Sequence, residues 1–419
     1  MKMVSTLAIA ATVLTAGAAL SSPAFAQKKG KEQAQAAAPA EGPKRNYTKS
    51  AMKALQELQA AANANDTANF PAKLAAAQAA AKNADDRFFI AQMQLSMAQK
   101  SNNDAALREA INAVLNSGGA TAEDSLKLRR AQGALAVRAK DYPAAIAAFQ
   151  EVLKSSPNDA AVQNDLIVIY REQKQYPQAI AILEQSIAAS KAAGQKPPEN
   201  TYKLALQTAL DGKVQGKILP LTREFLSAYP TAQNWGTALD LYRSSSRADD
   251  ATLLDTFRLM RTAKTLDQAN EYLALADTLA LGKFYAEARD VINEGVASGK
   301  LKASHPGAVQ VLKEVSGKIA EDRTAIAALE GRARSEARGT MALRLAEGYY
   351  GHGMYAKAAE FYRLALQKGG VDTNLVNTRL GMAHALGGQR AEAEAAFKAV
   401  TGPRADLAGF WMLWLQSRA

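Results

Sequence analysis

From about Tyr47 to the end of the chain, apolar residues recur at helical spacing in blocks of about 12 to 15 residues, broken by short polar or glycine-containing turns. The pattern predicts helix after helix and no strand. Alanine is the commonest apolar residue and only 6% of residues are aromatic, so neighbouring helices should approach closely through small side chains. A β-rich chain would carry more Val, Ile and Thr. The expected fold class is therefore all-α, an array of antiparallel helix pairs.

Self-similarity sharpens this expectation. In the stretch 131–159, Gly133 stands nine residues before Tyr142, Ala145 three after it, Phe149 seven after and Pro157 fifteen after. Tyr176 repeats the arrangement 34 residues on, with Ala179 and Leu183 at the same offsets. The spacing returns at Tyr285 (Ala276, Ala288, Ile292) and at Tyr355 (Ala346, Ala358, Tyr362). A further copy has Leu380, Gly381, Ala393 and Phe397, with Arg390 in the tyrosine's place. Small residues on both helices let a pair close, and the bulky residue four positions later should fill the gap to the next pair. Tyrosine braces the start of the second helix, and proline prevents it from continuing. Each pair leaves an apolar face that only its neighbour can cover.

Over 125–193, 269–300 and 339–403 the chain resembles the tetratricopeptide repeat family. The resemblance implies a right-handed α-solenoid, a superhelix whose concave groove is lined by the first helix of each pair. Residues 199–230 and 231–265 read as divergent units, and 51–117 and 306–336 as helix pairs with little of the motif. A bend near 244–250 is expected to divide N-terminal repeats (51–243) from C-terminal repeats (244–403). In this family the residues 15, 12, 8, 5 and 4 before the turn tyrosine face the groove. By that rule Lys127, Arg130 and Arg138 line it, then Asn164 and Arg171, then Asn200, Lys203 and Gln207. Downstream the rule selects Asp240, Arg243, Asn270, Asp277, Glu347 and Tyr350. The N-terminal groove is thus basic and amide-rich, suited to an extended acidic peptide or an anionic glycan through charge-assisted hydrogen bonds. Ala134 occupies a place where the family's carboxylate clamp needs asparagine, so the clamp is not carried over. The competing reading is that these are ordinary solvated side chains.

The two ends differ from the array. Residues 1–26 combine Lys2, an apolar run from Thr6 to Leu20 and the small-x-small triplet ending at Ala26, the layout of a cleaved secretory signal peptide. The run is shorter than the roughly 20 residues a membrane span needs, and no later stretch reaches that length. Export to the periplasm follows, with peripheral association to the envelope as an extension. Residues 27–50 hold six basic residues against two acidic ones and little apolar surface, which predicts a disordered basic Ala/Pro/Lys tail. Such a tail could touch cell wall or anionic glycan, although charge runs also solubilise without any partner. At the other end, 404–419 crowds Phe410, Trp411 and Trp414 into one helix. These rings either cap the last pair or form an exposed anchor, and the scarcity of Lys and Arg there favours the cap.

Chemistry adds mainly exclusions. With no cysteine and three histidines in unrelated settings (His305, His352, His384), no metal constellation is expected. No phosphate loop or nucleophile elbow occurs, so neither catalytic residues nor a cofactor are assigned. Of the net charge of +11, Lys2 holds one unit and the tail four, which leaves +6 over the repeats without an aromatic-basic stripe, and nucleic acid is not expected as a partner. The reading that results is a non-catalytic periplasmic scaffold that holds a protein or peptide, with envelope assembly or polysaccharide export as the candidate settings. A glycan-associated binding protein is the alternative, and a hydrolase or lytic transglycosylase a more distant one.

Overall fold

The computed structural model describes residues 45–418 apart from 246 and 247. The expected signal peptide and most of the expected tail lie outside the described residues. Every regular element among those residues is helical, and no helix there is long and apolar enough to cross a membrane. Two compact units are divided after Gln175. The first holds α1 (Met52–Asn63), α2 (Phe70–Ala80), α3 (Ala84–Ser101), α4 (Asp104–Asn116), α5 (Ala122–Arg138), α6 (Tyr142–Ser155) and α7 (Ala160–Glu172). The second begins with α8 (Tyr176–Ala192), α9 (Glu199–Asp211), α10 (Gln215–Ala228), α11 (Ala232–Ser245), α12 (Asp250–Thr262), α13 (Ala269–Leu281) and α14 (Tyr285–Ala297). It continues through α15 (Pro306–Ser316), α16 (Ile319–Ala328), α17 (Glu330–Ser335), α18 (Thr340–Gly351), α19 (Tyr355–Lys368), α20 (Thr373–Leu386), α21 (Arg390–Lys398), a 3-10 turn (Gly402–Arg404) and α22 (Ala405–Gln416). The pair expected over 306–336 is thus three shorter helices.

The same turn closes five pairs and also ends α7. The residue two before the turn tyrosine, or its equivalent, is left-handed: Lys140 (φ 59°), Lys174 (56°), Lys213 (51°), Lys283 (66°), Gly353 (69°) and Gly388 (77°). The next N–H reaches back to a carbonyl five residues earlier, Asp141 to Ala136 at 2.8 Å, Phe284 to Leu279 at 2.8 Å and Gln389 to His384 at 2.8 Å. This bond satisfies carbonyls that the ended helix leaves open. Lysine at a left-handed position costs about 1–2 kcal/mol, part of which glycine would give back as chain entropy. Replacing Lys140, Lys174, Lys213 and Lys283 together by glycine should therefore raise stability by about 2 kcal/mol in total, read as a higher melting temperature.

Within a pair the spacing of small and aromatic residues has a direct cause. A Cβ on Gly133 would lie 2.3 Å from Phe149 Cε1, and one on Gly381 would lie 2.5 Å from Phe397 Cε1. Each ring therefore covers the glycine of its own pair, where the sequence suggested a gap to the next one. Phe397 serves both purposes, since it also stacks on Trp411 of the following helix at 6.0 Å between centroids.

Residues 45–50, expected to belong to the tail, are part of the fold. Asp86, fully buried at the start of α3, accepts from the Thr48 N–H (3.0 Å), the Thr48 hydroxyl (2.7 Å) and the Lys82 N–H (2.9 Å). Arg45 pairs with Asp85 at 3.1 Å, donates to the Gly119 carbonyl at 2.7 Å and lies over the Phe88 ring. Tyr47 meets Phe89 edge to face at 5.4 Å. A buried carboxylate needs donors, and this short strap supplies them.

The second unit departs from a simple stack. Its apolar core runs without a break from Leu226 to Leu415, so the division expected at 243/244 falls inside it. Helix α22 packs against α10, α12, α20 and α21. Phe410 and Trp411 are fully buried, Phe410 lies 5.5 Å from Tyr242, and Arg223 of α10 pairs with Asp406 at 2.5 Å. The terminal aromatic rings are therefore interior, and they join the last pair to the unit's early helices.

Candidate functional site

The residues selected by the groove rule divide between the units. Lys127, Arg130 and Arg138 lie on α5, and Asn164 and Arg171 on α7; Asn200, Lys203 and Gln207 lie on α9 of the second unit. All are exposed except Arg171, which is half-buried. Their charge is less available than their sequence implied. Lys127 holds Glu123 at 2.6 Å, Lys203 holds Glu199 at 2.9 Å, and Gln207 donates to Asp211 at 2.7 Å. Arg130 grips Asp159, its Nε at 2.8 Å, and Arg138 reaches both oxygens of Asp104 at 3.0 Å.

The Arg138 pair belongs to a regular ladder, while Arg130 and Asp159, 29 residues apart, stand outside it. Arg138 and Asp104 are 34 residues apart; Arg108 and Asp141, Lys191 and Glu224, Lys217 and Glu184, and Arg261 and Glu294 are each 33 apart. One repeat length separates the partners, so the same helical phase on successive repeats carries opposite charge. Exposed pairs of this kind add little stability. Their consequence is register, because a slipped repeat would set like charges together.

Between Asn164 and Arg171 of α7 lies a residue that the charge reading passed over. Val168 is 56% exposed, and Asn164 and Arg171 flank it at helical spacing on the same face. It falls eight residues before Tyr176, itself one of the groove offsets. Attention to apolar as well as polar side chains at those offsets would have found it.

Downstream, the groove rule leads into the interior. Asp255 of α12 is fully buried and accepts from Arg258 Nη1 (3.2 Å), Arg379 Nε (3.1 Å) and Arg404 Nη1 (2.9 Å). Arg258 also makes a two-pronged pair with Glu287, Nε to Oε1 at 3.0 Å and Nη2 to Oε2 at 2.7 Å, and lies over the Tyr350 ring at 4.6 Å. Arg379 continues to Glu347. Burial alone would push the Asp255 carboxyl up, but the guanidinium groups of Arg379, Arg258 and Arg404 outweigh it and hold the carboxyl below its ordinary value. Glu347 and Tyr350, expected in the groove, are members of this buried cluster or packed on it. Asp240 and Arg243 pair with each other at 3.1 Å, and burial raises Asp277, helped by Glu314.

Helix pairs closed by a shared left-handed turn, with small residues and rings in fixed register, define an α-solenoid of repeat type. The tetratricopeptide repeat signature matches residues 136–192. Residues 136–192 therefore carry tetratricopeptide repeats, a type of repeat that suggests a protein-interaction scaffold. Solved structures similar to the chain include Naa15/Naa10 bound to HypK-THB (14% identity, 88% of this chain and 67% of that one, TM-score 0.26). Others are the P58(IPK) TPR domain (16%, 81% and 98%, TM-score 0.21) and a Rap protein complexed with competence and sporulation factor (13%, 76% and 97%, TM-score 0.22). No curated protein matches the chain.

Proposed function

We propose that the protein is a non-catalytic periplasmic adaptor that captures a protein or peptide partner on the exposed face of α5 and α7, within an envelope-assembly or polysaccharide-export machine. The observation that carries this reading is Val168, an exposed apolar side chain between Asn164 and Arg171 on one face of α7. An apolar anchor inside a polar surround is the arrangement that concentrates binding energy at protein interfaces. Because the cations are already paired, they orient a partner and select its charge, while Val168 and the amide of Asn164 supply contact. The leader-like N-terminal sequence supports the address, and the basic tail supports a second contact with anionic wall polymer.

Lys127→Ala, Arg138→Ala and Asn164→Ala, combined in one chain, should lower partner recovery from a crosslinked periplasmic pulldown by about tenfold, since one or two lost hydrogen bonds to charged groups suffice for that. Helix content by circular dichroism should not change. Undiminished recovery would remove this face from consideration.

A further inference from the structure

The second unit contains a cavity of about 750 Å³ lined by residues from α12, α13, α14, the turn between α18 and α19, and the end of α20. We propose that it is a binding site for a short neutral oligosaccharide, independent of the partner surface on α5 and α7.

The volume lies within the range of small-molecule sites, about 300–1,000 Å³. Its walls combine the rings of Tyr272, Tyr350 and Tyr355 with charged side chains. Four cations (Arg258, Arg261, Lys264, Lys300) face four carboxylates (Asp267, Glu287, Asp290, Glu294), so the lining carries no net charge. Most of these charges are committed: Arg258 to Glu287, Arg261 to Glu294 at 2.6–2.8 Å, Lys300 to Asp267, and Asp290 to Arg289 at 2.7 Å. An anionic ligand would have to compete with the carboxylates already in place. A polyol need not, because a paired carboxylate keeps free lone pairs and each sugar hydroxyl both donates and accepts.

The second observation is a hydroxyl that no protein group meets. Tyr350 lines the cavity, and its hydroxyl is accessible there and makes no hydrogen bond to another described residue. A donor that opens onto a cavity without a protein partner is available to a ligand atom. Tyr355 stands next to it, rings edge to face at 5.4 Å, and is half-buried against the same space. Burial raises the pKa of both tyrosines, which keeps them protonated donors. Flat rings beside hydroxyl donors and paired charges suit a pyranose, whose C–H faces are apolar and whose edges are polar.

The test is ligand-observed NMR on the chain with cellotriose, maltotriose, xylotriose and di-N-acetylchitobiose, and trigalacturonate as the charged comparison. At least one neutral sugar should bind, Tyr350→Phe should weaken it about fivefold through the loss of one hydrogen bond, and Tyr355→Ala should weaken it further. Tyr355→Phe, at a half-exposed position, serves as the variant least able to disturb folding. Binding of none of the neutral sugars, binding of trigalacturonate alone, or neutral binding that neither tyrosine affects would each overturn the proposal.

Discussion

Asp255→Ala should destabilise the second unit by about 3–5 kcal/mol, the cost typical of removing one member from a buried ionic cluster. The substitution removes the carboxylate shared by Arg258, Arg379 and Arg404, each at most 5% exposed; Glu287 and Glu347 still hold the first two, while Arg404 loses its buried partner. It also cuts the link between α12 and segments 124 and 149 residues further on. The loss is directly readable because all three tryptophans, Trp235, Trp411 and Trp414, lie in this unit, so denaturant unfolding followed by tryptophan fluorescence reports on it. Asp255→Asn should recover part of the loss, since its amide oxygen still accepts one bond. The sign of the pH dependence follows from the direction of the shift. A carboxyl depressed in the folded state stabilises fully above its unfolded value of about 3.9, and the contribution fades as pH falls through the lower folded value. Acid should therefore loosen wild type below about pH 4 and change Asp255→Ala much less in that window.

Trp411→Ala is the second large effect, at about 3–5 kcal/mol for a large ring removed from a filled interior. Trp411 is fully buried, stacked on Phe397 and set edge to face against Trp414 at 5.6 Å. Its Nε1 has no hydrogen-bond partner among the described residues, so the loss is one of packing. Because α22 bridges α10, α12 and α20, amide exchange should quicken in those three helices as well as in α22. A change confined to α22 would show that the helix is a passive lid.

The repeating parts of the fold were legible because they are local. Gly133, Tyr142, Ala145 and Phe149 sit within one pair, and their spacing fixes a contact that periodicity alone reveals. What escaped was set by distance. Asp255 and Arg258 look in sequence like an ordinary surface pair three residues apart, and nothing local announces Arg379 or Arg404. The strap at 45–50 was hidden by averaging over a basic tail, although Asp86 could not be buried without the donors of Thr48 and Lys82. The ladder of charges one repeat apart was readable in principle, as opposite signs recurring at 33 or 34 residues. It reduces the free charge of Arg138, as the separate Asp159 pair reduces that of Arg130, and the weight of the candidate surface shifts toward Val168 and Asn164.

The most direct measurement places a photo-crosslinking amino acid at Val168 in cells and, as a comparison, at Leu281 of the second unit, another exposed apolar residue. The account predicts one discrete protein adduct from position 168, identified by mass spectrometry, and none at the comparison position. No adduct at 168, or the same proteins trapped at both positions, would contradict it.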